Sequence, residues 1–196
     1  MRRIQRLLLR VAIVVVGLIS RIIPIFAQTA PDPPVPGRIL RFDSRLDWLL
    51  PKEAVVETVV AGRTWVEGPV WDRKTGSLLF SDVPANVVLR WSEAEGVTVA
   101  LERSGYTGAA PFPGREPGSN GLGFTPDGRL SLSEHGDRRV TRLEPDGRKT
   151  VLADRYLGKR LNSPNDHVWT EAGDLLFTDP PFGLPGTYED PGKELP

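Results

Sequence analysis

From about Ile39 onward, the chain alternates short apolar runs with clusters of turn-forming residues. The clusters read KTGS, PDGR (twice), EAGD and PPFGLPG, and no convincing amphipathic helix lies between them. Short apolar runs bounded by Gly, Pro, Asn and Asp are typical of β-strands joined by tight turns. The pattern therefore predicts an all-β fold.

The apolar runs form a repeat that aligns three times along the chain. Each copy starts with a polar residue, enters an apolar strand, closes at a glycine turn and returns in a second apolar strand. The first positions are Glu67, Asn120 and Asn165, and the turn glycines are Gly76, Gly128 and Gly173. The copies begin about every 50 residues, close to the ~40–50 residues of a four-stranded propeller blade. The sequence therefore predicts a β-propeller with about three blades in this chain.

The N-terminal residues have the order of a secretory signal. Five Arg and no acidic residue accompany an apolar run, and small or polar residues follow it up to Ala27. This order predicts a signal peptide over residues 1–27 and a periplasmic or secreted protein. A retained membrane anchor is the alternative, although the uninterrupted apolar run falls short of the ~20 residues that span a bilayer. Residues 28–44 are then a Pro-rich linker, and residues 45–196 the partial propeller.

Charge and cysteine content narrow the classes of function. Lys and Arg together number 25, as do Asp and Glu, so no overall charge favours a nucleic-acid partner. The chain has no Cys, which excludes a disulfide framework, a thiolate zinc site and a cysteine nucleophile. Ser163 lacks the G-x-S-x-G context of a serine hydrolase.

The first residues of the three repeats are the candidate functional positions. Equivalent positions in a propeller are related by rotation about a central channel, so Glu67, Asn120 and Asn165 are predicted to converge at one end of it. A carboxylate and two amides there would suit Ca²⁺, Mg²⁺, Mn²⁺ or, with less affinity, Zn²⁺. The alternative for each Asn is a plain turn residue that tolerates positive φ.

These residues carry a family resemblance. The motifs EGPVW, LLFSDVPANVVLRW, SNGL, PDGRL, SEHGDRRVTR, GKRLNSPNDHVW and LLFTDPPFGL closely resemble the senescence marker protein/gluconolactonase/luciferin-regenerating-enzyme family, in its bacterial gluconolactonase-like branch. The resemblance implies a six-bladed β-propeller that holds one divalent metal, Ca²⁺ before Zn²⁺, Mn²⁺ or Mg²⁺, and hydrolyses sugar lactones. By the same resemblance, Glu67 matches the metal-binding glutamate. Asn165 matches a channel asparagine that contacts metal-bound water or substrate.

The chain also departs from this family. The resemblance implies a further metal-binding Asn and an Asp that serves as general base, and both would lie beyond Pro196. The catalytic residue is therefore expected outside this sequence, which we interpret as the N-terminal half of such an enzyme.

Three further residues are substrate-binding candidates. Asn120 shares the repeat position, and His135 follows a predicted inner strand, where it either contacts substrate or caps the strand end. Asp166 either stiffens the turn at Asn165 or adds to the polar channel. His167 is predicted to pack or to pair with Asp166 rather than to bind metal.

Two functions from different classes remain open at this point. The first is metal-dependent hydrolysis of a small sugar lactone, and the second is a non-catalytic propeller that binds a sugar or a protein partner. Fold alone does not separate the two, because propellers serve both purposes.

Overall fold

The computed structural model describes residues 37–196. The predicted signal peptide and the first part of the predicted linker lie outside the described residues. Among the described residues, no helix is long and apolar enough to cross a membrane. Residues 37–56 belong to one compact unit, which contains a 3₁₀ helix, Ser44–Trp48, and residues 57–196 form a second unit that holds the described strands.

Two four-stranded antiparallel sheets make up most of the second unit, and in each the strands pair in chain order. The first sheet contains β1 (Val66–Asp72), β2 (Ser77–Asp82), β3 (Val87–Ser92) and β4 (Gly96–Glu102). The second contains β5 (Ser119–Phe124), β6 (Leu130–Glu134), β7 (Arg139–Leu143) and β8 (Lys149–Ala153). Each sheet is one propeller blade, which confirms the all-β prediction and the repeat.

The third repeat is shorter than the first two in the part of the chain that the structure describes. It pairs only β11 (His167–Trp169) with β12 (Leu175–Phe177), after a small hairpin of β9 (Arg155–Tyr156) and β10 (Lys159–Arg160). The chain then enters Pro180 and Pro181 and two 3₁₀ turns, Pro181–Gly183 and Thr187–Glu189. Proline lacks the N–H that a strand ladder needs. The predicted three blades are therefore two complete blades and the inner hairpin of a third.

The apolar core lies between the two complete blades. Leu79, Val88, Leu122 and Leu132 are buried in it. The partly buried side chains packed around them are Val70, Leu101, Phe124, Leu130 and Leu143. Because strand side chains alternate between faces, each blade directs one face of its inner strands into this layer.

The inner strands of the three repeats approach one another at glycines. A Cβ atom at Gly68 would overlap the carbonyl oxygen of Asn120 and lie 2.7 Å from the backbone nitrogen of Leu122. A Cβ atom at Gly121 would lie 2.7 Å from the carbonyl oxygen of Asn165, which already accepts a 2.7 Å hydrogen bond from the Gly121 N–H. Only residues without a side chain allow this approach.

Irregular pairing accompanies the two glycines. The register of β1 on β2 shifts between Glu67 and Val70, and that of β5 on β6 shifts between Ser119 and Leu122. Such bulges re-aim side chains at the end of a strand. They occur at the first positions of the first two repeats, where Glu67 and Asn120 lie.

We predict that Gly68→Ala destabilises the protein far more than Gly76→Ala. Both glycines have positive φ, 56° and 64°, but a Cβ atom at Gly76 meets no atom within 4 Å. Gly76→Ala should therefore cost about 1 kcal/mol for the backbone conformation alone. Gly68→Ala should cost about 1–3 kcal/mol more, because the added methyl group overlaps backbone atoms that cannot rotate away. Chemical denaturation of both variants measures the difference, and equal losses would contradict the close approach.

Candidate functional site

Two adjoining cavities lie where the inner strands begin. The first, about 400 Å³, is lined by Trp65, Glu67, Glu116, Asn120, Asn165, Phe182 and Thr187. The second, about 200 Å³, is lined by Glu67, Gly68, Pro69, Asn120, Gly121, Leu122, Asn165 and Asp166. Glu67, Asn120 and Asn165 line both cavities, so the structure brings the first residues of all three repeats together. Their roles toward metal and substrate stay predictions.

Each of these three residues is held by its own surroundings. Glu67 is half-buried in β1, and its Oε1 accepts a 2.9 Å hydrogen bond from Nε1 of Trp65. Asn120 is only 5% exposed. Asn165 precedes β11, and its backbone N–H donates to the carbonyl oxygen of Thr178 over 2.9 Å. A side-chain hydrogen bond thus holds Glu67, burial restricts Asn120, and a backbone hydrogen bond holds Asn165.

Glu116 is a site residue that sequence reasoning missed. It lines the larger cavity and is only 7% exposed. Its Oε2 lies 2.7 Å from Nδ1 of His135, although the two groups are not aligned as a regular hydrogen bond. The signal in the sequence was an acidic residue within the Pro- and Gly-rich segment PFPGREPGSN, just before the second repeat begins.

His135 lies behind the cavity wall and lines neither cavity. Its side chain is fully buried, and its Nε2 is 3.4 Å from Nδ2 of Asn165. The backbone of Gly183 packs against the ring, since a Cβ atom there would come within 2.6 Å of the His135 Cβ. The predicted contact with substrate is therefore not a direct one in this arrangement.

Asp166 and His167 are neighbours in sequence but lie in different environments. Asp166 is exposed, lines the smaller cavity, and its Oδ1 accepts a 2.9 Å hydrogen bond from the backbone N–H of His167. The His167 ring points between Ser131 and Ser133, with Nε2 2.7 Å from one hydroxyl and Nδ1 2.9 Å from the other. Burial lowers the pKa of His167 and the charge of Asp166 opposes that shift. His167 thus joins β6 to β11 and contacts Asp166 through its backbone.

The loop that carries Asn165 is anchored by Asp179. The Asp179 carboxylate accepts backbone hydrogen bonds from Asn162 at 2.7 Å and from Ser163 at 2.9 Å. The Ser163 hydroxyl is used in the same anchor, since it donates to the Pro180 carbonyl at 2.5 Å and accepts from the Gly183 N–H at 2.9 Å. Ser163 is therefore a structural residue, in keeping with the absence of a serine-hydrolase motif.

The chemistry of the cavity walls fits a hard cation. Glu67 and Glu116 supply carboxylate oxygens and Asn120 and Asn165 supply carboxamide oxygens, the donors that Ca²⁺ and Mg²⁺ prefer. Among residues 37–196, no group of three or more His, Cys, Asp or Glu side chains is arranged to hold a metal. Since Ca²⁺ takes about 6–8 oxygen ligands, these side chains would provide part of a coordination shell.

Comparison with known proteins places the chain in a family. Residues 65–193 match the SMP-30/Gluconolactonase/LRE-like region. A gluconolactonase of Zymomonas mobilis subsp. mobilis is 41% identical over 163 residues, which cover 81% of this chain and 45% of the relative. The chain belongs to the SMP-30/gluconolactonase/LRE-like family.

Solved structures agree with this assignment. A gluconolactonase from Xanthomonas campestris superposes with a TM-score of 0.56 at 38% identity, over 69% of this chain and 40% of that one. A protein described as a putative gluconolactonase gives a TM-score of 0.63 at 32% identity, over 76% and 49% of the two chains. This chain therefore spans less than half the length of these relatives.

We predict that Asp179→Asn loosens the Asn165 loop, with a cost that depends on pH. The two backbone N–H groups donate to different oxygens of the Asp179 carboxylate, and an amide replaces one of those oxygens with an NH2 group that cannot accept. Burial raises the pKa of Asp179 above its ordinary value of 3.8, against the two backbone hydrogen bonds that lower it. A carboxyl group with a raised folded-state pKa contributes most stability below its unfolded pKa and loses that contribution as the pH rises through the folded value.

The difference in unfolding free energy between wild type and Asp179→Asn should accordingly shrink as the pH rises from below 3.8 toward neutrality. Chemical denaturation at several pH values measures it. A difference that grows with pH would show that the ionised carboxylate is the better anchor.

Proposed function

We propose that this chain contributes to a metal-dependent site that hydrolyses a sugar lactone, as the gluconolactonase relatives' name describes. The observation that carries the proposal is the meeting of Glu67, Glu116, Asn120 and Asn165 on one cavity in a chain of this family. The chain spans 40–49% of the length of these relatives, so the hydrolytic activity of a whole protein is itself proposed and not shown.

The cation would be held by the Glu67 carboxylate and the Asn165 carboxamide oxygen, with Ca²⁺ the first candidate. When bound, it would polarise the lactone carbonyl. Glu67 supplies the charge that offsets a cation, and Trp65 fixes one of its oxygens by a hydrogen bond. Asn120, on the same wall, is suited to donate to or accept from a sugar hydroxyl.

Glu67→Gln is the direct test of the cation site. The substitution keeps the shape and removes the charge, so Ca²⁺ affinity should fall by at least the ~10–100-fold that loss of a supporting residue costs. Binding to the native state raises the free energy of unfolding by about 2.7 kcal/mol at 100 times the Kd, and so raises the thermal unfolding midpoint. We expect Ca²⁺ to raise the midpoint of wild type but not of Glu67→Gln, measured by circular dichroism alongside gluconolactone hydrolysis.

Glu171→Gln is the matched control for that experiment. Glu171 is exposed in the turn between β11 and β12 and lines neither cavity, yet its loss changes net charge equally. An equal rise of the unfolding midpoint with Ca²⁺ in both variants would contradict the proposed cation site. Ca²⁺ binding without hydrolysis of any lactone would favour the non-catalytic propeller that binds a sugar or protein partner.

We also propose that residues 1–27 direct export to the periplasm or outside the cell. The support is the sequence order of basic, apolar and small residues that ends at Ala27. Expression in a bacterial host, fractionation and N-terminal sequencing should give a periplasmic product that begins at Gln28. A membrane-bound product that keeps Met1 would mean that the segment is a retained anchor.

A further inference from the structure

The side chains of Glu116, His135 and Asn165 contact one another in series at the wall of the larger cavity. Glu116 and Asn165 both line the larger cavity, and the fully buried ring of His135 contacts both. Neither Oε2 of Glu116 nor Nδ1 of His135 has a regular hydrogen bond among the described residues, yet the two atoms lie 2.7 Å apart. Buried polar atoms are almost always paired, so this contact needs a role.

The contact with Asn165 determines which ring nitrogen carries the proton. Nδ2 of an asparagine can only donate a hydrogen bond, so Nε2 of His135, 3.4 Å away, must accept it. In a neutral imidazole with an accepting Nε2, the proton is on Nδ1. Oε2 of Glu116, a carboxylate oxygen that can only accept when ionised, lies 2.7 Å from that nitrogen, although not in line for a regular hydrogen bond. The three groups are therefore consistent with one direction of donation, from Asn165 to His135 and from His135 to Glu116.

In the structure, the carboxamide of Asn165 is oriented with its nitrogen toward the ring. With Nδ2 donating to the ring, the oxygen lies at the other end of the group, on a residue that lines both cavities. We propose that His135, oriented by Glu116, is a positioning residue that turns the carboxamide oxygen of Asn165, rather than its nitrogen, toward the cavity. The use of that oxygen for a cation rests on the proposed function, but the orientation itself does not.

Packing keeps the ring in this orientation. His135 is 0% exposed, and a Cβ atom at Gly183 would lie 2.6 Å from its Cβ and 2.8 Å from its Cγ. The turn Pro181–Gly183 that delivers this glycine is tied to the Asn165 loop through the Ser163 hydroxyl. The ring and the amide that it orients are thus held by one piece of backbone.

The first test reads the tautomer of His135 in the metal-free full chain. Long-range ¹H–¹⁵N correlation spectra at neutral pH distinguish a protonated from an unprotonated ring nitrogen, and the chain has only 2 His, so His167→Asn assigns the signals. We expect His135 with Nδ1 protonated and Nε2 unprotonated. A ring protonated at Nε2, alone or with Nδ1, would overturn the proposal, since Asn165 would then have to turn its oxygen inward.

The second test compares two substitutions of His135 for Ca²⁺ binding by titration calorimetry. His135→Gln keeps an acceptor near the position of Nε2, whereas His135→Leu has similar bulk and no acceptor. Loss of a supporting hydrogen bond typically costs ~10–100-fold in metal affinity. We expect such a loss for His135→Leu and a clearly smaller loss for His135→Gln.

The outcomes separate the two proposals. If wild type binds no Ca²⁺, the proposed cation site fails, while the tautomer experiment still decides the orientation of Asn165. If wild type binds Ca²⁺ and both folded variants bind it equally well, the positioning role of His135 is wrong and the cation site stands. Unfolding curves of both variants show whether a loss of binding reflects the site or the fold.

Discussion

The approach of three backbones at Gly68 and Gly121 is the constraint on which the rest of the structure depends. Backbone atoms of the second repeat occupy the space beside Gly68, and those of the third occupy the space beside Gly121. No side chain fits at either position, so the inner strands can begin close together only with glycine there. The polar residue next to each glycine, Glu67 and Asn120, is thereby brought to the cavities that Asn165 also lines. One packing requirement thus produces both the blade interface and the site.

The site and its surroundings contain many buried polar groups, and burying them lowers the stability of the fold unless they have partners. Asn120, Asn162, Ser163, Glu116 and His135 are all less than 9% exposed. Burying such groups is unfavourable unless they are paired. The Asp179 anchor pairs the backbone of the loop before Asn165, and the Glu116–His135–Asn165 contacts engage the side chains. These contacts restrict the loop that carries Asn165 to few alternative conformations, as a preorganised binding site requires.

Periodicity in the sequence predicts the blades and the meeting of their first residues, but it does not predict the path of the loops. Turn glycines and strand spacing recur, so the convergence of three equivalent positions could be read from the repeat. Among the described residues, the third repeat pairs only two strands, and Pro180 and Pro181 follow shortly after them. Glu116 has no counterpart in the aligned repeats. It reaches the cavity through a loop, and a loop path depends on tertiary packing that periodicity does not encode.

Distribution of the site over three repeats has an energetic consequence. Glu67 begins one blade, Asn120 the next, and Asn165 the hairpin after it. A cation that contacts more than one of these residues also holds the inner strands at their present separation. The free energy of binding is then partly free energy of folding, as in other proteins whose ligands come together only in the native state. The affinity of the proposed cation site and the packing of the inner strands would therefore both report on the same strand arrangement.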